Sequence, residues 1–236
     1  MLFRLFRLLK IAVLSALALF LLYQVGIFIL VCWYSIHDPT STAVMQQTLR
    51  ELRRENPEAE LKHHWVPYDQ ISEHLKRAVV ASEDSNFINH TGVEWEDIRR
   101  AWEYNRQQAA SGETSRRGGS TISQQLAKNL FLSNSRSYVR KAQELIITYM
   151  LEWVMSKKRI LELYLNFAQW GENVFGIQAA ARHYYKQDAA TLNQAQSARL
   201  ATMLPRPAFY DRNRDTRYLR SRSATIQQRM RLVEIP

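Results

Sequence analysis

The chain has 236 residues, long enough for one membrane anchor and one good-sized globular domain. Its formal net charge is +10, and three of those charges (Arg4, Arg7, Lys10) precede an apolar run, leaving about +7 on the remainder. Such a balance suits an anionic partner near a membrane, and export argues against nucleic acid. The sole cysteine, Cys32, excludes an intramolecular disulfide, so the core must supply the stability.

Residues 1–10 form a basic arm. Ile11 to Trp33 is free of charge, and Asp38 is the first charge beyond it. At ~1.5 Å per residue this run crosses a ~30 Å hydrocarbon core. We therefore expect a transmembrane helix over 11–34, residues 1–10 in the cytoplasm and an extracytoplasmic domain over 35–236. A cleaved signal peptide is the alternative, disfavoured by the length of the run and the lack of a small-x-small site.

Gln46 to Glu55 reads as a charged helix in an approach segment that runs to Pro67. Ile71 to Asp84 reads as a helix, with Leu75, Ala78, Val79 and Ser82 at helical spacing. Glu83 and Asp84 then oppose the dipole at its C-terminal end, which gains nothing locally. Trp95 to Ala110 reads as a polar, aromatic-bearing helix. Ser111 to Gly119 reads as a mobile loop. Thr121 to Gln124 fits a capping box, so another helix starts near Ser120. Arg140 to Met155 follows, with Ala142, Ile146, Tyr149 and Trp153 expected toward the core. Further helices are expected at Arg159 to Ala168, Ile177 to Tyr185 and Ala189 to Leu204, with Pro205 and Pro207 ending the last. No alternating strand, internal repeat or low-complexity segment is evident.

Three stretches can carry chemistry. Glu83 is a general base if its surroundings, Asp84 among them, raise its pKa; the bland reading is two solvated acids. Gly118 and Gly119 permit close backbone approach, and the helix start behind them offers N–H groups to an anion. Ser120, Thr121, Gln124 and Gln125 are polar there, and Gln124/Lys128 and Gln125/Asn129 pair at helical spacing; the bland reading is a solvated face. Arg140 and Glu144 meet on one helix face. They are either an ordinary ion pair or a cation for a phosphate oxygen beside a second acid.

In this order the three stretches resemble the motifs of the glycosyltransferase family 51 peptidoglycan polymerases, and the monofunctional transglycosylases in particular. Glu83, Asp84, Phe87, His90 and Gly92 fit the first motif. Gly119, Ser120, Thr121, Gln124, Gln125, Lys128 and Asn129 fit the second, and Arg140, Lys141 and Glu144 the third. Ile160 to Asn166, with Gly171 and Gly176, fit the fourth, and Leu200 to Pro205 the fifth. Ser123 stands where the family commonly has threonine. Gln194 and Gln196 lie where many members have a glutamate.

The resemblance implies a mostly α-helical, lysozyme-like, two-lobed domain. It implies polymerisation of glycan strands with inversion, from a polyprenyl-diphosphate-linked donor to the GlcNAc 4-hydroxyl of lipid II. Glu83 would be the base and Glu144 the second catalytic acid, holding the cation cluster or binding Mg2+ or Mn2+, neither of them obligatory. Lys128, Arg140 and Lys141 would meet the diphosphate. Asp84, Phe87, His90, Gly119, Ser120, Thr121, Gln124, Gln125 and Asn129 would bind substrate, while Glu162 and Asn166 would be structural. Expected partners are lipid II, membrane lipids, and other wall-synthesis and division proteins at the inner membrane. The aromatic helix from Trp95 to Tyr104 is the expected membrane-dipping segment, and the Arg-rich tail from Arg206 to Arg231 either shares that work or is solvated. The rivals are a non-catalytic scaffold and a lytic glycan cleaver, which would not need the cations. A crosslinking domain is not expected, because no Ser-x-x-Lys or Lys-Thr-Gly occurs and nothing follows residue 236.

Overall fold

The computed structural model describes residues 2–112, 118–135 and 137–236. The expected mobile loop therefore falls mostly outside the described residues. Helix α1 (Leu2–Tyr34) continues unbroken through the basic arm. It is long and apolar enough to cross a membrane. Gln24, Ile27 and Val31, on one face near its end, are buried against the domain.

The domain itself is helical. After α2 (Ala43–Glu55), capped by the Thr42 hydroxyl, comes α3 (Glu73–Glu83). Helix α4 (Trp95–Ala110) has the expected bounds but buries only Ala101, so it stands apart from the core as the smaller lobe. Helices α5 (Ile122–Phe131), α6 (Tyr138–Val154) and α7 (Lys157–Phe167) follow. Then come α8 (Ile177–Tyr185), α9 (Gln194–Met203), α10 (Pro207–Arg212) and α11 (Arg217–Arg229). The expected helix from Ala189 is in fact a 3-10 turn followed by α9. Asn193 and Gln196 close a capping box at the break. Gln194 donates to the Gln227 carbonyl, tying α9 to α11. The fold is mostly helical, as expected; the one sheet, not evident in the sequence, is β1 (Lys62–His63) paired in parallel with β2 (Val174–Phe175), two residues each among the described residues.

Helices α3, α9 and α11 pack together on one side, and α5 packs on α6, α7 and α2 on the other. Asn166 pins the approach segment to α7. It accepts from the Val66 amide at 2.9 Å and donates to the Val66 carbonyl at 2.9 Å. Glu162 accepts from the Tyr68 amide at 2.7 Å and from Arg159 at 2.7 Å. Both residues are thus structural, as expected.

The inward face of α6 differs from expectation. Glu144, Ile147, Thr148 and Leu151 are buried, whereas Ala142 and Tyr149 are exposed and Trp153 is 81% exposed. The apolar stripe exists, but it faces away from the protein core, with only its Trp153 end against α1. Trp153 stacks on Phe28 with ring centroids 5.6 Å apart.

Candidate active site

A cleft of about 760 Å³ opens between the α3, α9 and α11 side and the α4 and α5 side. Glu83, the last residue of α3, lies part-exposed on its wall. Its carboxylate accepts from the Gln125 amide nitrogen at 3.0 Å and from the Ser82 hydroxyl at 3.1 Å. Burial pushes the Glu83 carboxyl above the ordinary glutamate value. Those two hydrogen bonds and the Arg222 charge pull it down, while Asp84 adds to the push.

Gln125 is oriented from behind. The Tyr164 hydroxyl donates to its Oε1 at 2.9 Å, which leaves the amide nitrogen facing Glu83. Burial, with Glu83 and Asp84 nearby, holds the Tyr164 hydroxyl well above the ordinary tyrosine value, so it remains a donor at neutral pH.

Asp84 has a different occupation from its neighbour. It is buried, and its two oxygens face His90 Nε2 at 2.9 and 3.0 Å. Oδ2 also accepts from the Ile122 amide at 3.0 Å. His90 Nδ1 accepts from the Gly92 amide at 3.0 Å, so Nε2 carries the proton given to Asp84. The acid that opposes the dipole of α3 therefore sits on the N-terminus of α5, where a negative charge is favourable. This corrects the expectation that α5 presents its first amides to a bound anion, because the anion there is Asp84.

Other residues expected to bind substrate are buried within the fold. Thr121 and Gln124 form the capping box and are buried, and the Thr121 hydroxyl donates to the Gly92 carbonyl at 2.6 Å. Their polar groups satisfy α5 and Gly92 and do not line the cleft. Asn129 is buried, Phe87 is fully buried, and His90 is occupied by Asp84. Gly119 does need a close backbone approach, but toward α4. A Cβ there would come within 3.0 Å of the Asp97 carbonyl oxygen. The Ser123 hydroxyl, where the family commonly has threonine, donates to Glu152.

Ser120, Gln125 and Lys128 do line the cleft with Glu83. Burial lowers the Lys128 ammonium; the charge of Glu144 opposes this, while Arg140 and Lys141 reinforce it. Arg140 and Lys141 project from the first turn of α6 onto opposite oxygens of Glu144. Arg140 Nη1 lies 2.5 Å from Oε2, and Lys141 Nζ donates to Oε1 and to the Ser120 hydroxyl, the latter at 3.1 Å. Both oxygens of buried Glu144 are thus held by cations, with Lys128 a third cation nearby. That arrangement does not fit a divalent metal ligand. No cluster of three metal-binding side chains occurs among the described residues.

Two cationic cleft residues were not singled out from sequence. Arg222 and Arg229, seven apart on α11, line it from the side opposite Lys128. Their spacing of two turns is a visible signal, but the tail holds too many arginines to choose between without the packing of α11 on α3 and α9.

The family model "Transglycosylase" matches residues 46–231. A biosynthetic peptidoglycan transglycosylase of Bordetella pertussis is 62% identical over 231 residues, covering 98% of this chain and 96% of its own. One from Bordetella avium is 60% identical over 222 residues, covering 94% and 92%, and one from Methylobacillus flagellatus is 52% identical over 223 residues, covering 94% and 96%. With a helical, lysozyme-like domain behind one membrane-length helix, the chain belongs to the transglycosylase family, glycosyltransferase family 51, and is a peptidoglycan glycosyltransferase that polymerises glycan strands.

Proposed function

We propose that the cleft joins a growing glycan on polyprenyl diphosphate to lipid II, with Glu83 as the general base. The observation that carries this reading is the state of Glu83: part-exposed on the cleft, bonded only by neutral donors, with its carboxyl raised by burial. Glu83 takes the proton of the acceptor GlcNAc 4-hydroxyl. The freed oxygen forms a bond to the donor anomeric carbon as the bond from that carbon to the diphosphate oxygen breaks. The electron pair leaves on the diphosphate, and an α-linkage becomes a β-1,4 bond with inversion.

The negative charge then grows where Lys128, Arg140 and Lys141 gather. Glu144 holds Arg140 and Lys141 in place and does not itself touch the reacting atoms. No resident metal is required for this step. Mg2+ or Mn2+, if used, arrives with the diphosphate of the substrate. The anchor crosses the cytoplasmic membrane once, with Arg4, Arg7 and Lys10 inside. The domain on the far side meets lipid-linked substrates at the surface, beside other wall-synthesis and division proteins.

The test is a gel assay of full-length protein with labelled lipid II in detergent, wild type beside Glu83→Gln. A glycan ladder from the wild type alone is expected. A ladder from both would sink the role of Glu83.

A further inference from the structure

Behind the cleft, α7 carries two polar side chains on one face, Lys157 and Tyr164, seven residues and two turns apart. Tyr164 turns Gln125 toward Glu83. Lys157 does not line the cleft, yet it is not a solvated lysine either. Its side chain is 19% exposed and that of its partner Glu152 is 8% exposed. The ammonium donates to the His90 carbonyl at 2.6 Å and to Glu152 at 2.8 Å. It also lies 4.6 Å from the centre of the Phe87 ring, a cation over an aromatic face.

Phe87 and His90 belong to the stretch that leaves α3 after Glu83. Phe87 is fully buried, and its amide donates to the Asp84 carbonyl at 3.1 Å. His90 is the residue bonded to the Asp84 carboxylate. Gly92 ends the stretch with φ at +95°, and a Cβ there would meet Thr148 Cγ2 at 2.8 Å and Glu152 Cγ at 3.0 Å, so the chain is wedged against α6. Glu152 in turn accepts from Ser123 of α5, two residues before Gln125. Lys157 and Glu152 thus join α7, α6, α5 and the stretch after Glu83. The join spans both partners of the 3.0 Å bond between Gln125 and Glu83.

A buried ion pair is a weak source of stability, because desolvation offsets the attraction, and neutral side chains of similar volume serve packing as well. A neutral apolar side chain at 157 would not, however, donate to the His90 carbonyl.

We propose that Lys157 is a positioning residue: through the His90 carbonyl, the Phe87 ring and Glu152 it fixes the stretch after Glu83 against α5, and with it the register of Glu83 on Gln125. This rests on the reading of Glu83 as the general base and deepens it. One face of α7 then sets both halves of that contact, Tyr164 holding Gln125 and Lys157 holding the chain beyond Glu83. Placement of this kind matters because a displacement of about 1 Å, caused far from the chemistry, can cost ~10²-fold in rate.

The test measures steady-state polymerisation of lipid II across pH, with melting temperatures, for wild type, Glu83→Gln, Glu152→Gln and the double variant Lys157→Met/Glu152→Gln. The double variant removes one charge of each sign, so net charge is unchanged, and it keeps an acceptor for Ser123. The charged groups that share the cleft with Glu83 are untouched: Asp84 beside it, Asp97 of α4, Lys128 of α5, and Arg222 and Arg229 of α11. The double variant should melt near the wild type and lose ~10²-fold in kcat with KM little changed. Its acid limb of kcat/KM should move to higher pH, because the bond from Gln125 pulls the Glu83 carboxyl down and is loosened. Glu152→Gln alone leaves Lys157 on the His90 carbonyl and should keep most of the rate. Wild-type kcat and acid limb in the double variant would overturn the role of Lys157. So would a rate that falls only as far as the folded fraction, a double variant that does not fold, or an equal loss in Glu152→Gln. A glycan ladder from Glu83→Gln would instead overturn the reading of Glu83, and this inference with it.

Discussion

Two glutamates, Glu83 on the cleft wall and Glu144 buried on α6, are in opposite condition. Glu83 is touched by neutral donors only, and burial raises its carboxyl. Glu144 is held on both oxygens by Arg140 and Lys141. A carboxylate whose charge is poorly compensated gains from taking a proton, and that is the condition of Glu83. On the proposed reading the two acids divide the reaction between proton removal and charge placement.

The sharpest way to break this contrast is to neutralise each acid in turn. Glu83→Gln should cost ~10²–10⁴ in polymerisation rate, the usual worth of a general base. It should also raise the melting temperature at pH 7. A raised carboxyl favours folding below its unfolded pKa, and that contribution is lost as pH rises through the folded value, so the ionised group burdens the neutral-pH fold. Glu144→Gln should instead lower the melting temperature, because it leaves two cations without their partner, by ~3–5 kcal/mol if the site behaves as a buried pair. Equal thermal shifts in the two variants would erase the distinction.

Next in size is Arg140→Ala, which on the proposed reading removes one diphosphate cation and should cost ~10²–10³ in turnover. The wild-type fold should be kept, as followed by circular dichroism. Asp84→Ala tests the scaffold beside the base. It leaves His90 Nε2 and the Ile122 amide without their acceptor, and should cost ~1–3 kcal/mol in denaturant unfolding. Activity should fall in step with the loss of fold. Loss of activity with no loss of stability would return Asp84 to the list of substrate ligands.

Much of this site was legible in the sequence where chemistry is local. The capping box at Thr121 and Gln124 follows from residue types at a fixed spacing, and the bounds of α4 from its flanking residues. The face of α6 was not legible, because a helical stripe of Ala142, Ile146, Tyr149 and Trp153 looks the same whether it faces the core or away from it. The role of Asp84 was hidden for a related reason. It is unfavourable on its own helix, and its compensation lies 38 residues away at Ile122. Arg222 and Arg229 reach the cleft only through the packing of α11 on α3 and α9. Tyr164 was visible as part of a helical motif, but its bond to Gln125 spans 39 residues and needs the packed fold.

The central claim is that the group titrating in the reaction is Glu83, tuned through Gln125. The most direct test is the pH dependence of kcat/KM with lipid II for wild type, Tyr164→Phe and Gln125→Leu. The wild-type acid limb should lie above the ordinary glutamate value. Gln125→Leu removes a bond that lowers the Glu83 pKa, so its acid limb should move to higher pH, with Tyr164→Phe moving it less in the same direction. An acid limb unmoved by Gln125→Leu, at any rate of turnover, would mean that another group takes the proton.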